Sequence, residues 1–293
     1  MKKMIYFITS IIFTCFLFVS TAYADSEQFL VLGEDLSEKE KETVLELLRV
    51  NNIENYNVSY TTNKEEYEFL GSYLPSSVIG QRALSSVLLT KKEKDSGINI
   101  ETFNITYCSK EMYQNALITA GVKDVDVKIA GPFKLSGTAA LVSTIKSYEI
   151  MTGEKLNPDA IDTANNEIVV TGQLGEEIGK EDAANLIAAL KQKVADMDTY
   201  SKEEIKDALN ELTEQLNISI TDETKQSILD LMDKVSEINI DTEAIKEQAK
   251  NIYDNIKNYT KELESSGVFQ TIVASVKNFL NTIIDFFKNL GGN

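Results

Sequence analysis

The chain lacks two residue types and uses several others sparingly. Its 293 residues contain no histidine and no tryptophan, and only three prolines and two cysteines. Without histidine there is no His-based catalytic triad, no His metal ligand and no imidazole proton shuttle. The low proline count, with 14 glycines, excludes collagen-like and proline-rich low-complexity sequence. These absences exclude several classes of enzyme and metal site before any motif is considered.

Positive charge is also scarce. The chain has 29 basic and 46 acidic residues, for a formal net charge of −17. Such a chain is repelled by the phosphates of nucleic acid and by anionic lipid headgroups. Arg49 and Arg82 are its only arginines, so the bidentate clamps that favour arginine are rare. We therefore expect no nucleic acid partner.

The N-terminus carries an export pattern. A short basic start precedes an apolar run over residues 4–20, and Ala22-Tyr23-Ala24 then fits the small-x-small cleavage rule. The run is shorter than the ~20 residues that a membrane span requires, which favours cleavage over a retained anchor. The sequence predicts a signal peptide over residues 1–24. We expect a secreted or cell-wall-associated protein whose mature chain begins at Asp25.

The pattern of elements changes near residue 155. Strand-like and helical segments alternate from about residue 28 to 152, which predicts a sheet with helical cover. After Asn157-Pro158, an N-cap followed by a proline in the first helical position, nearly every segment has helical periodicity. We predict an α+β fold: an α/β domain with a mixed sheet over residues 25–155, and an all-α helical domain over residues 156–293.

Local signals mark the ends of several elements. Ser37 and Glu40 form a capping box, and Asn63 followed by Glu66 predicts the start of another short helix. A strand that begins at Asp124 is predicted to end at Gly131-Pro132, because proline and glycine interrupt strands.

The last segment is strongly amphipathic. Over residues 268–290 the apolar side chains fall within an arc of roughly 160° on a helical projection, and polar residues fill the rest. The polar face excludes a transmembrane span, and only Lys277 and Lys288 supply positive charge against Asp285. We expect this helix to dock within the chain. Docking on a second copy or on a membrane remains an alternative.

Two motifs suggest nucleophilic chemistry, and both are weak. Ser143 and Lys146 match the Ser-x-x-Lys pattern of serine acylases, but the companion Ser-Asp-Asn and Lys-Thr-Gly elements are missing. Cys108, the one cysteine outside the signal peptide, has no histidine to activate it. We expect Ser143 to have no catalytic role and Cys108 to be a buried structural thiol.

The binding motifs are equally unspecific. Ser136-Gly137-Thr138 opens a predicted helix whose N–H groups could hold an anion, whereas the simpler interpretation is that Ser136 caps the helix. Asp124 with Asp126, and Asp196 with Asp198, could offer carboxylate pairs to a divalent cation, but neither pair lies in a calcium-binding loop. We assign no catalytic, cofactor-binding or metal-ligating residue and expect no cofactor.

Three glycines allow two interpretations of the segment that follows the predicted domain boundary near residue 155. Gly172, Gly175 and Gly179 lie three and four residues apart. In a helix they would leave a bare face for close approach of a neighbouring element. Otherwise they would form a broken or flexible connection.

Five stretches together resemble a known family. The chain is similar to a family of uncharacterised, predicted secreted proteins of Gram-positive, spore-forming bacteria, catalogued as a domain of unknown function. The resemblance rests on residues Glu66–Gly71, Ile79–Ser86, Gly97–Thr106, Tyr113–Gly121 and Ser136–Leu141. It implies an extracytoplasmic protein with a signal peptide, and it implies no reaction and no site residue.

The leading functional hypothesis is a secreted, non-enzymatic binding or envelope-associated protein whose partner is an unknown protein or cell-envelope ligand. One alternative is a metal-independent hydrolase that uses serine or paired carboxylates, whose separation no sequence reveals. Another is a peripheral membrane protein attached through residues 268–290.

Overall fold

The computed structural model describes residues 28–216, 218–238 and 241–247, together with Asp285. The predicted signal peptide lies outside the described residues. The predicted C-terminal helix at 268–290 also lies outside them, except for Asp285.

The described chain begins with alternating strands and helices and continues with helices. The strands are β1 (Gln28–Gly33), β2 (Asn57–Thr61), β3 (Ser86–Lys91), β4 (Ile98–Ile105) and β5 (Val125–Leu135). The helices are α1 (Glu38–Leu47), α2 (Asn63–Leu70), α3 (Ser76–Ile79), α4 (Lys110–Ala120), α5 (Thr138–Thr152), α6 (Pro158–Ile178), α7 (Lys180–Ala195), α8 (Lys202–Gln215) and α9 (Asp222–Glu237). The capping box predicted at Ser37 is confirmed at the start of α1.

The strands form one mixed sheet in the order β2-β1-β3-β5-β4. The β1–β2 and β4–β5 pairs are parallel, and β3 runs antiparallel to β1 and β5. The predicted α+β fold, a mixed N-terminal sheet with helical cover followed by helices, is confirmed.

Alternation along the strands divides the apolar side chains between the two faces of the sheet. On one face, Leu30, Leu32 and Leu88 pack with Val44 of α1 and with Leu48, which directly follows this helix. The opposite face packs against α4 and α5 through apolar side chains that include Val87, Leu89, Val127 and Ile129. Each face of the sheet therefore has its own helical cover.

The hydrophobic core continues past residue 155. Ala164, Ile168 and Val169 of α6 belong to the same cluster as the α4 and α5 side of the sheet. A second cluster joins the later helices, with Leu186 of α7 and Leu209 of α8 among its members. The predicted domain boundary falls in the loop between α5 and α6. The division into two separate domains stays a prediction, because α6 packs on both clusters.

A buried ion pair ties three helices together. Lys191 of α7 donates to both carboxylate oxygens of Glu167 of α6, at 2.9 and 3.2 Å, and to the Asn115 carbonyl of α4 at 2.9 Å. Thr119 of α4 donates to Glu167 at 2.5 Å. Both charged side chains are almost completely buried, so the pair depends on these hydrogen bonds to offset its desolvation.

Candidate functional site

An open cleft lies where α2, the segment after α3, the end of β5 and the start of α5 meet. Its volume is about 320 Å³. One wall is apolar, and Glu66, Gln81, Arg82, Ser85 and Ser136 add polar groups. We call it the Glu66 cleft. The apolar lining residues are Val78, Ile79, Leu84, Phe133, Leu135 and Ala139.

An irregular stretch of β5 places an aromatic ring in this cleft. The pairing register of β4 and β5 jumps from Phe103–Ala130 to Ile105–Leu135, and Phe133 lies in the excursion with 50% of its surface exposed. Such a bulge bends the strand and redirects side chains beside a site.

The same excursion corrects the predicted end of this strand. β5 does not end at Gly131-Pro132 but continues to Leu135. The proline is tolerated because it falls where the ladder is interrupted. Asn104, whose φ is 61°, donates its side-chain amide to the Gly131 carbonyl at 3.0 Å and holds the excursion in place.

Glu66 is buried because of the way α2 begins. Thr62, and not Asn63, is the N-cap, and it forms a capping box with Glu65. The predicted start of this helix at Asn63 is confirmed, but the capping pair is Thr62 with Glu65 and not Asn63 with Glu66. Glu65 stays at the surface in an ion pair with Lys146, while Glu66 points inward with 1% of its surface exposed.

The Glu66 carboxylate lies at the start of α5. It accepts hydrogen bonds from the Thr138 hydroxyl, the Ala139 backbone N–H and the Asn63 side-chain amide. The interpretation that Ser136 caps this helix is wrong, because the N-cap is Gly137 and no side chain caps it. The anion at the first turn is the protein's own carboxylate, which the positive end of the helix favours.

The position of Gly137, the N-cap of α5, requires glycine. Its φ is 93°, in the left-handed region that favours glycine. A Cβ at this position would collide with the Tyr113 hydroxyl, which donates to the Gly137 carbonyl at 2.6 Å.

Burial changes the acidity of the site. Desolvation raises the pKa of Glu66 to about 7, the charge of Asp35 adds to the rise, and the hydrogen bonds from Thr138, Asn63 and Ala139 oppose it. Glu66 therefore changes its charge near neutral pH, although the chain has no histidine.

Two serines line the same cleft as Glu66. The Ser136 and Thr138 oxygens lie 3.1 Å apart, so Ser136 connects the cleft to Glu66 through Thr138. Ser85 also lines the cleft with 2% of its surface exposed. A hydroxyl that faces a cleft can donate to or accept from a ligand group.

Arg82 at the rim is already neutralised. Its guanidinium donates to both carboxylate oxygens of Glu40, at 3.1 and 2.6 Å, and to the Asp35 carbonyl at 2.6 Å. The hydrogen bonds from Arg82 and Ser37 hold the pKa of Glu40 well below its usual range. Arg82 therefore braces the rim of the cleft through its contacts with Asp35 and Glu40.

Comparison with known proteins places the chain in a family. A family model described as "Protein of unknown function (DUF1002)" matches residues 32–252. The chain belongs to this family. It is 38% identical over 266 residues to the uncharacterized protein YpuA of Bacillus subtilis (strain 168), which covers 90% of this chain and 91% of YpuA. No solved structure matches.

The DUF1002 match confirms one part of the resemblance noted in the sequence, namely that the chain belongs to a family of unknown function. It spans both sides of residue 155, so the shared unit includes the sheet and the helices that follow. Stretches 66–71, 79–86 and 136–141, which carried the resemblance, all supply residues to the Glu66 cleft.

The Ser143–Lys146 motif of this DUF1002 chain is not assembled as a catalytic pair. Ser143 is fully buried, and its hydroxyl oxygen lies within hydrogen-bond distance of the Thr61 hydroxyl and the Ala139 carbonyl, both at 2.8 Å. Lys146 pairs with Glu65 instead. No substrate can reach the Ser143 hydroxyl in this arrangement.

The other candidate residues have structural surroundings. Cys108 is buried as expected, and burial raises the pKa of its thiol to about 12. Asp124 accepts from the backbone N–H groups of Ser96 and Gly97. Lys92 pairs with Asp126 at 3.3 Å, and Lys246 pairs with Asp196 at 3.8 Å. No group of three or more acids or cysteines among the described residues is placed to hold a metal ion.

The glycine cluster combines both of its interpretations. Gly172 and Gly175 lie in α6, and Gly172 faces the Tyr107 ring so closely that a Cβ would collide with it. Gly179, with φ 95°, ends α6 and precedes α7.

None of the helices in the described part of the chain combines the length and apolar character needed to cross a bilayer.

Proposed function

We propose that this protein is an exported, non-enzymatic binding protein that holds an envelope-associated partner or ligand in the Glu66 cleft. The observation that carries this proposal is the cleft itself, whose largely apolar lining also includes the hydroxyl-bearing residues Ser85 and Ser136. An apolar concavity with a few convergent polar groups is typical of binding sites.

Exposed aromatic rings at the edge of the cleft support the proposal. Phe133 and Tyr67 both expose a large part of their surface. Tyr67 donates its hydroxyl to the Gly80 carbonyl at 3.0 Å, which holds its ring beside the cleft. Rigid aromatic side chains bury much area at little entropic cost, so they are frequent binding anchors.

Binding accounts for the cleft better than hydrolysis does. Glu66 is the only acid among the described residues that line it, so no paired carboxylate faces a substrate there. The oxygens of Glu66 are occupied by Thr138, Ala139 and Asn63. Among the residues that the structure describes, no base is hydrogen-bonded to the Ser85 hydroxyl, as a serine nucleophile would need.

Export is the second part of the proposal and rests on the N-terminal pattern. Cleavage after the Ala22-Tyr23-Ala24 motif leaves a chain that begins at Asp25. Mass spectrometry of protein from the culture medium and the wall fraction should find this N-terminus. Recovery of full-length chain alone, in the membrane fraction, would contradict export.

The binding claim is tested by co-sedimentation of the mature chain with an envelope fraction of the producing bacterium. Phe133→Ser should weaken binding by tenfold or more, because an exposed aromatic anchor is lost. Ile150→Ser is the matched control, since Ile150 is 60% exposed near the far end of α5, and it should bind like the parent. Equal binding of all three proteins, or no binding of the parent, would reject the proposal.

A further inference from the structure

When Glu66 is ionised, the hydroxyl protons of Thr138 and Ser136 are both used in hydrogen bonds that lead to its carboxylate. A carboxylate only accepts hydrogen bonds, and each serine or threonine hydroxyl has a single proton. Thr138 donates its proton to Glu66, so the 3.1 Å contact with Ser136 needs Ser136 as the donor. Ser136 then offers only lone pairs to the cleft. A ligand that meets it must bring a hydrogen-bond donor.

The electrostatics of the cleft favour a positive donor. The buried Glu66 charge lines the cleft in a poorly solvated position, where Coulomb interactions are strong. Arg82 is the only cation among the described lining residues, and Glu40 neutralises it. An incoming anion would meet the Glu66 carboxylate with no free positive group to offset it.

We infer that the Glu66 cleft takes a ligand group with an apolar body that ends in a positively charged hydrogen-bond donor, such as a primary ammonium. The apolar body would pack on the wall that includes Phe133 and Leu84, and the ammonium would donate to Ser136 and Ser85. The cleft volume of about 320 Å³ suits one side-chain-sized group. This inference rests on the proposed function, which makes the cleft a ligand site.

The same hydrogen-bond chain makes recognition depend on pH. A protonated Glu66 can donate to Thr138, which then donates to Ser136, so that Ser136 presents its proton to the cleft. The negative charge disappears at the same time, so the ammonium loses its counter-charge and meets the Ser136 proton in place of one of its two lone pairs. The pKa of Glu66, raised to about 7 by burial, sets this change near neutrality.

Several charged or titratable groups surround Glu66. Asp35 on the loop after β1 raises its pKa by charge, and Cys108 and Tyr113 on the α4 side have pKa values raised far above neutrality. At the rim, Arg82 and Glu40 form an ion pair, and on α2 and α5 Glu65 pairs with Lys146. With no histidine in the chain, Glu66 dominates the pH response of the cleft.

Three probes of similar shape test the inference: 2-phenylethylamine, 2-phenylethanol and phenylacetate. Backbone amide shifts of the nitrogen-15-labelled mature chain would report binding at the cleft. The amine and the acid keep their charges between about pH 5.5 and 8.5, because amines titrate near 10 and carboxylates near 4. At about pH 8.5 we expect the amine to bind at least tenfold tighter than phenylacetate, with the alcohol between them.

Amine affinity should fall roughly 30-fold from about pH 8.5 to 5.5, because about 3% of a group with a pKa of about 7 is ionised at the lower pH. Glu66→Gln should abolish both the amine preference and the pH dependence. Asp182→Asn is the matched control, since burial raises the pKa of Asp182 to about 6 and it is not among the cleft lining. Ser136→Ala, which leaves the buried carboxyl in place, should weaken amine binding several-fold.

Equal or tighter binding of phenylacetate would overturn the inference and leave the cleft as a binding site of another specificity. A pH dependence that persists in Glu66→Gln would overturn it as well. If no probe shifts amides of the cleft, the inference also fails. The proposed function is judged separately, by the dependence of envelope binding on Phe133.

Discussion

At the scale of single residues, two buried charges stand in contrasting environments. Glu66 has hydroxyl and amide donors but no cation, so burial dominates and its pKa rises. Glu167 has the buried Lys191 as a direct partner. An unpaired buried charge weakens the fold when it ionises, whereas a paired one weakens it when its partner is removed.

Glu66 should therefore destabilise the fold as pH rises. Its pKa increases from 4.5 to about 7 on folding, so between these values the native state holds a proton that the unfolded state has released. Its stabilising contribution is fully present below about pH 4.5 and is lost as pH rises through 7. Urea unfolding should show the parent losing roughly 3 kcal/mol relative to Glu66→Gln across this range.

Glu65 provides the neighbouring control for this titration. Burial alone would raise its pKa, but the hydrogen bonds and charge of Lys146 and Thr62 lower it. Its contribution is present above its unfolded pKa and lost at lower pH, so Glu65→Gln should differ from the parent in the opposite direction. Parallel stability curves for the parent and Glu66→Gln would contradict the buried titration.

Lys191→Met should cost about 3–5 kcal/mol of unfolding free energy, because it leaves Glu167 buried without its counter-charge. Adding Glu167→Leu should recover much of this loss, since an apolar pair avoids the desolvation cost. The exposed pair of Lys234 and Asp162 is the control, and Lys234→Met should cost less than about 1 kcal/mol. Equal effects at the two lysines, measured by urea unfolding, would exclude a special role for the buried pair.

At the scale of elements, the sequence predicts helix caps that depend on neighbouring residues, but it does not predict how distant strands pair. The capping box of α1 follows from Ser37 and Glu40 alone. Thr62-Asn63 followed by Glu65-Glu66 offers two overlapping caps, and only packing selects the one that turns Glu66 toward α5. The excursion in β5 depends on pairing with β4. The Glu66 cleft could not be predicted from the sequence either, because Glu66, Ser85 and Phe133 are distant in the chain and come together only through tertiary packing.

The close approach of α6 to Tyr107 gives an element-scale prediction. Gly172→Ala should destabilise the chain by about 1–3 kcal/mol, because the added methyl would overlap the Tyr107 ring. With Tyr107→Ala the overlap disappears, and the same change should become neutral or stabilising by up to about 1 kcal/mol through helix propensity. Thermal or urea unfolding of the four proteins tests this. The same destabilisation in both backgrounds would locate the cost elsewhere.

At the scale of the whole molecule, the sheet and the first long helix behind residue 155 share a core. Ala164, Ile168 and Val169 of α6 pack with the cluster on the α4 and α5 side of the sheet, and the family match crosses the same point. The connecting loop is exposed at Gly153–Lys155. It is therefore open to a protease, although the surfaces on either side are packed together.

Limited proteolysis in this loop should give two fragments that stay together. Separation would expose the apolar face of α6 and its partners on α4, which opposes dissociation under native conditions. The cut protein should elute from gel filtration at the volume of the intact mature chain and separate only in denaturant. Release of a folded fragment that ends near residue 155 would instead favour two independent domains.

The strand order also fixes how the chain crosses its sheet. β1, β2, β4 and β5 all point the same way, and the steps from β1 to β2 and from β4 to β5 run in the same direction across the sheet. Yet α1 covers one face and α4 the other. The two crossovers must then have opposite handedness, so one of them is left-handed, against the right-handed rule that about 98% of such connections obey. Long-range packing, and not the intrinsic twist of the strands, must hold that connection on its face.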